Sequence, residues 1–471
     1  MAASATKIKP ALHVEVRLKS TIGTFVRTDL VREEVSEWLC TRFVHLKLKQ
    51  QVTDYEGLSL GNYIESIDVV DFSGDQADTS SHRLEDVQLD VQAYELHSSS
   101  DDGSPRTVVP SVESDEADPS PQIRVTPLPS KSLNGVWNAL IFDEAIPAKL
   151  LHFLTRMISL TKHPSLNLTI LNWNRLLLLH GPPGSGKTTL CRALAQKLTI
   201  RLGRQFTHGK LVEINSNSLH SKWFGESGKL VRKLFDSVHA MADDETTLIC
   251  VLIDEVETLT GSREKSATGN ECGDALRATN QLLTALDRLR HRPNIMVFCT
   301  SNLVTAIDQA FLDRVDIKQY IPNPPPRAIY EILRSSLNEL IRCDLLIPTD
   351  DPDDASDGAS SDSVSLVQAG SDWEVLVLGS FPSFAEMNVH LWNRPNAPAR
   401  KLWKLAQRCE GFSGRALRRL PFLALAMHTY SDPCPVPEAL AALSLAVDEH
   451  AGRIVKNDEP SHQPELIESG L

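Results

Sequence analysis

The sequence predicts an α/β fold: a parallel-sheet core, a helical lid behind it and a small α/β domain ahead of it. Three observations predict this. Apolar strands alternate with helical stretches from near residue 171 to Pro322. A glycine-rich loop joins the first of those strands to a helix. Beyond Pro322 the pattern is helical alone. Strands that alternate with helices imply a parallel sheet covered on both faces.

Size and composition agree with this. At about 100–200 residues per domain, 471 residues allow two to four domains. Hydrophobic residues make up 41% and charged residues 23%. Those are globular values, which exclude collagen and a wholly disordered chain. Apolar runs such as Leu248 to Ile253 are far below the roughly 20 residues a bilayer crossing needs. The opening MAASATKIKP lacks the apolar stretch of a secretory leader, so none is expected. Eight scattered cysteines without a CxxC pair suit a reducing compartment and predict no zinc site.

The net charge of −13 is local. His97 to Gln122 holds six acids and one base, Arg106. Asp350 to Asp372 holds seven Asp and no base. Together these stretches contribute −12, which leaves about −1 for the rest. Both are rich in Ser, Asp, Gly and Pro, and predict solvated insertions that bury too little apolar surface to order. The remainder is near neutral, so no direct nucleic-acid binding is expected.

Residues 1–96 predict a small α/β domain, with strands at HVEVRL from His13 and IESIDVVDF from Ile64 around a helix from Asp29 to Phe43. Residues 97–132 predict a flexible acidic linker. Residues 133–326 predict the large α/β subdomain, opening with a helical pattern from Leu133 to Leu160. Its strands are Arg175–His180, Leu211–Asn215, Leu248–Asp254 and Ile295–Thr300. Leu230, Val231, Leu234, Phe235, Val238 and Met241 have the 3–4 spacing of a helix between them. Residues 327–471 predict the helical lid, interrupted by the insertion at about 350–372.

The loop Gly181-Pro182-Pro183-Gly184-Ser185-Gly186-Lys187-Thr188 matches GxxxxGK followed by Thr. It lies between RLLLLH and TTLCRALAQKL, a strand followed by a helix, which is the placement the motif requires. Its backbone N–H groups and the helix N-terminus suit a nucleotide phosphate. Lys187 would neutralise the β/γ oxygens, Thr188 would offer its hydroxyl to Mg2+, and Thr189 completes the nucleotide contacts.

Other polar residues end apolar strands. LICVLIDE puts Asp254 and Glu255 where the ligand crevice of a parallel sheet lies. Asp254 would hold Mg2+, and Glu255 would activate water as a general base. Capping of the next helix is the structural alternative for the two acids. Asn302, just past MVFCTS, would orient the water or touch the γ-phosphate. Arg314 in FLDRVD is a candidate arginine finger, with a salt bridge to Asp313 or Asp316 as the plain alternative. Arg415 opens a helix, where a cation opposes the helix dipole and therefore suits an anion such as ATP phosphate. Lys222, Trp223, Phe224 and Gly225 read as a mobile gripping loop, whose aromatics offer contact area without demanding a sequence.

With these motifs placed, the core resembles the AAA+ ATPases. KWFGESGKLVRKLF, LLLLHGPPGSGKTTLCRALAQKLTIRL, VLIDEVETLT, FLDRVDIKQYI and GFSGRALRRLPFLA are similar to the pachytene checkpoint protein 2, or thyroid receptor-interacting protein 13, family. The resemblance covers Leu133–Ile341 and Ala399–Val455 closely and residues 13–96 more weakly. The acidic insertions and WEVLVLGSFPSFAEMNVHLWNRP depart from it.

The resemblance implies a homo-hexamer that uses ATP and Mg2+ to convert HORMA-domain proteins between closed and open states, directly or through an adaptor. It implies meiotic chromosome-axis or Mad2-type substrates. Nuclear placement on meiotic chromosomes follows from it, with cytoplasm or kinetochore as further places. Lys187 would bind ATP, Glu255 hydrolyse it, Asn302 serve as sensor 1, Arg314 as finger and Arg415 as sensor 2. Trp223 and Phe224 would form the pore loop. A clamp-loader or helicase-loader machine shares the phosphate loop, strand-end acids and finger, and stands as the alternative.

Overall fold

The computed structural model describes residues 9–20, 26–55, 57–74, 81–98, 123–161, 173–216, 227–261, 272–347 and 380–458. The chain divides into two compact units. The first comprises residues 1–140, 145–181 and 187–321; the second comprises 141–144, 182–186 and 322–471.

In the first unit, the N-terminal part carries β1 (Ala11–Leu18), helix α1 (Thr28–Arg42), β2 (His45–Lys47), β3 (Gln51–Val52), β4 (Ile64–Phe72), β5 (Ser81–Arg83) and β6 (Gln88–Glu95). Four of these strands form one sheet in the order β3-β4-β1-β6. β1 runs antiparallel to β4 and parallel to β6. Val31, Val35 and Leu39, one helical turn apart, are the buried residues of α1. They pack with Leu12, Val14 and Val16 of β1 in one apolar cluster.

β7 (Ile123–Leu128), α2 (Val136–Ala139), α3 (Ile146–Thr161), β8 (Leu176–His180), α4 (Lys187–Arg201), β9 (His208–Asn215), α5 (Ser227–Met241) and β10 (Thr247–Asp254) follow. Then come α6 (Cys272–Leu289), β11 (Ile295–Ser301), α7 (Gln309–Leu312) and β12 (Ile317–Tyr320). The large sheet has the order β12-β8-β11-β10-β9-β7. The first five strands are parallel. A parallel strand covered on both faces has no solvent side, so its sequence is continuously apolar. In β10, Leu248 to Ile253 are at most 1% exposed. Each large side chain buried there contributes about 1.5–3 kcal/mol. Parallel order also puts the carboxyl ends of β8, β11 and β10, which are neighbours, along one edge.

Two expectations need correction. Residues 97–132 were expected to be linker throughout, but β7 pairs antiparallel with β9 and completes the sheet. Ile123 and Leu128 are buried there, which gives an edge strand its reason to form. Among the acid-rich residues, 99–122 lie outside the described residues. The helical pattern expected over Leu133–Leu160 is two helices, α2 and α3. Gly135 adopts a left-handed φ of 74° at the start of the first, and Pro147 lies in the first turn of the second.

Ion pairs join the N-terminal sheet to α4. Lys197 Nζ donates to both carboxylate oxygens of Glu15 at 2.7 Å. Arg201 pairs with Asp71 at 3.0 Å. Arg32 donates to the Gly203 carbonyl at 3.1 Å.

The second unit is helical: α8 (Pro326–Arg342), α9 (Phe384–His390), α10 (Pro398–Arg408), α11 (Gly414–His428) and α12 (Val436–Asp458). Two short parallel strands, β13 (Leu346–Ile347) and β14 (Cys434–Pro435), accompany them. Tyr330 is fully buried at its centre and donates its hydroxyl to the Pro382 carbonyl at 2.8 Å. Ser383 and Glu386 close a capping box at the start of α9.

Candidate active site

The first unit carries Lys187 and the strand-end acids. Lys187 opens α4 and is 6% exposed. Its ammonium donates to the Gly181 carbonyl at 2.9 Å. Gly181 has φ 146°, and a Cβ there would collide with the Ile321 carbonyl oxygen. Burial, with Lys187 beside it, lowers the pKa of His180 and keeps that imidazole neutral.

One residue into the helix, Thr188 donates its hydroxyl to Asp254 Oδ1 at 2.8 Å. Thr300, on the neighbouring strand β11, donates to the same oxygen. The Thr300 oxygen in turn accepts the Glu255 backbone N–H at 3.1 Å. Ser216 donates to the Asp254 carbonyl. Glu255 leaves the strand in the left-handed region, with φ 54° and ψ 52°. That conformation is costly for a side-chain-bearing residue and persists only where its surroundings impose it. Asn302 donates its backbone N–H to Glu257 Oε1 at 2.9 Å. The other Glu257 oxygen is buried without a hydrogen-bond partner among the described residues.

In the second unit, Gly184 adopts φ 77°, and a Cβ there would lie 2.9 Å from Ser413 Oγ. Its carbonyl accepts the Arg415 backbone N–H at 3.2 Å. Ser413 caps α11 by accepting from Ala416 N. Arg415 is exposed. Ser185 Oγ is buried without a partner among the described residues, so it still has a hydrogen bond to give.

These observations fit a nucleotide. In the first unit Gly181 has a positive φ and the Lys187 ammonium is buried; in the second, Gly184 and Gly186 have positive φ and Ser185 Oγ has no partner among the described residues. The Thr188 hydroxyl and the Asp254 carboxylate, hydrogen-bonded to each other, are the oxygen donors Mg2+ prefers. Cys191, behind the loop, is no nucleophile: burial pushes its thiol well above the ordinary range.

Arg314 is placed differently from either plain expectation. Its guanidinium grips Asp287 of α6 with two hydrogen bonds of 2.9 Å and donates to the Ala310 carbonyl at 2.7 Å. The hydrogen bond to Asp287 raises its pKa. Asp316 is occupied elsewhere, accepting the backbone N–H groups of Leu176 at 2.9 Å and Asn174 at 3.2 Å. Lys222, Trp223, Phe224 and Gly225 lie outside the described residues.

Sequence reasoning missed Thr300, Glu257 and Asp287. Thr300 had a signal: with Ser301 it puts hydroxyls at the end of an apolar strand, just before Asn302. Asp287 had none, because its partner is 27 residues away on another element.

A phosphate loop, strand-end acids and a five-strand parallel order define an ATPase of the AAA class. The family "ATPase family associated with various cellular activities (AAA)" matches residues 177–323. The TRIP13 N-terminal domain matches residues 7–99, and the TRIP13-like AAA+ ATPase lid matches residues 325–451. A pachytene checkpoint protein 2 homolog of Xenopus tropicalis is 39% identical over 400 residues, covering 84% of each chain. One of Homo sapiens is 40% identical over 322 residues, 68% of each chain. The solved structure of C. elegans PCH-2 aligns with a TM-score of 0.67 at 28% identity, over 95% of this chain and 100% of that one. The chain belongs to the pachytene checkpoint protein 2 family and is an ATPase.

Proposed function

We propose that the chain forms a hexameric ring that hydrolyses ATP to convert HORMA-domain proteins between closed and open states. The observation that carries the ATPase half is the Thr188 hydroxyl, next to the buried Lys187, donating to Asp254 at the carboxyl ends of β8 and β10, the parallel strands on either side of β11. Family membership and the motifs that resemble the family support the HORMA half. Meiotic chromosome-axis and Mad2-type proteins are the substrate class, met directly or through an adaptor. The nucleus, at meiotic chromosomes, is the expected place of action, with cytoplasm or kinetochore beside it.

Thr188 and Asp254 would hold Mg2+, which when bound supplies positive charge against the phosphate oxygens. Lys187 neutralises the β/γ oxygens, and the loop backbone from Gly181 to Gly186 wraps them. Glu255 takes a proton from the attacking water, while Asn302 orients that water. Arg314 reaches the triphosphate held by a neighbouring protomer, which requires head-to-tail contacts that close into a ring. Arg415 senses the nucleotide from the lid, and Trp223 and Phe224 grip the polypeptide client.

ATPase stimulation tests this. A HORMA-domain protein raises turnover, and single- or double-stranded DNA leaves it unchanged. Stimulation by DNA alone would instead mark a nucleic-acid loader.

A further inference from the structure

We propose that Thr300 is the positioning residue that aims Glu255 for water activation. The inference rests on the reading of Glu255 as the general base. Thr300 is 1% exposed, so both its donor and its acceptor must be satisfied inside the protein. Its one proton goes to Asp254 Oδ1, a carboxylate that only accepts. A lone pair is thereby turned to the Glu255 N–H, 3.1 Å away. One hydroxyl thus ties the metal-side acid to the backbone of the candidate base.

The tie matters because Glu255 sits at φ 54°. A left-handed residue at the end of a strand breaks the alternation of side-chain directions. That conformation is disfavoured for a residue that carries a side chain. Two sets of bonds hold it. Thr300 takes its N–H, while its carbonyl accepts the backbone N–H of Thr258 at 3.0 Å and the Thr258 hydroxyl at 2.9 Å. Removing the Thr300 hydroxyl takes this bond from the Glu255 N–H and its donated bond from Asp254 Oδ1. The left-handed conformation of Glu255 is then less firmly held. A catalytic group displaced by about 1 Å can lose about 10²-fold in rate.

The test uses the full chain with substitutions at Thr300 and Glu255. Thr300→Val keeps the shape and removes the hydroxyl; Thr300→Ser keeps the hydroxyl. Thr300→Val lowers kcat for ATP by about 10²-fold with KM and nucleotide Kd within about threefold of wild type, an allowance under 1 kcal/mol. Thr300→Ser restores kcat. Combined with Glu255→Gln, Thr300→Val adds no further loss, because Thr300 acts through Glu255. Thr300→Ala replaces the Val variant if the added methyl prevents folding. Wild-type kcat in the Val or Ala variant, or a loss that adds fully to that of Glu255→Gln, overturns the proposal. Undiminished turnover in Glu255→Gln alone overturns the base assignment instead, so the two failures are distinct.

Discussion

The strand-end cluster and Arg314 are both charged, both close to the sheet, and built on opposite plans. At the strand ends, Thr188, Asp254, Thr300 and the Glu255 backbone satisfy one another within a single chain. The Arg314 side chain makes its described hydrogen bonds to Asp287 and Ala310, and none of them reaches that cluster. The chain therefore brings its candidate hydrolytic residues together and holds Arg314 elsewhere. A guanidinium pre-oriented by a bidentate carboxylate loses less freedom when it is offered to a phosphate. The difference suits a centre that is completed only when a second protomer supplies the cation.

The sharpest way to break that contrast is to remove Arg314. In Arg314→Ala, turnover falls by about 10³–10⁵ while nucleotide binding by each protomer persists, as seen by comparing kcat with nucleotide affinity. Mixing Arg314→Ala with Glu255→Gln protomers restores part of the activity if the arginine acts in trans; an inactive mixture would mean action in cis.

Removing the base sharpens the other half. Glu255→Gln lowers kcat by about 10²–10⁴ and leaves ATP bound, measurable as retained nucleotide in the purified protein.

A smaller effect concerns how firmly the first unit is held together. Glu15 and Lys197 are 11% and 13% exposed, so truncating either leaves a poorly hydrated charge. Lys197→Ala is expected to cost about 3 kcal/mol in chemical denaturation, and Glu15→Ala added to it costs much less than its own single effect. By contrast, Asp287→Asn costs no more than about 1 kcal/mol, since that pair is half exposed to solvent, and nucleotide affinity does not change.

The smallest effect is on pH. His180 has a lowered pKa in the folded chain. The unfolded chain therefore takes up the proton first. The stability that His180 contributes is complete above the ordinary imidazole value of about 6.5 and is lost as pH falls from there toward the folded value. Thermal melts of His180→Gln between these limits should vary less with pH than those of wild type.

Much of this was legible in the residues. Periodicity located β8, β9, β10 and β11 to within a few residues, because a strand buried on both faces must be apolar throughout. Beyond Pro322 it predicted helices, and α8, α10, α11 and α12 lie there, each burying one face. Boundaries were harder where tertiary pairing outweighs local pattern. β7 follows an acidic stretch and owes its place to β9. Likewise, FLDRVD offers Arg314 two acids nearby, yet the partner is Asp287, which the fold of α6 brings within reach.

By itself the sequence determined the chemistry: a phosphate loop between a strand and a helix, and carboxylates where a buried strand must end. Those follow from local covalent and hydrophobic rules that act over a few residues. Only the tertiary structure decided which hydroxyl holds Asp254, which acid holds Arg314 and which carboxylate faces Lys197. Hydrogen bonds and ion pairs depend on distance in space, and in this chain those partners stand 46, 27 and 182 residues apart.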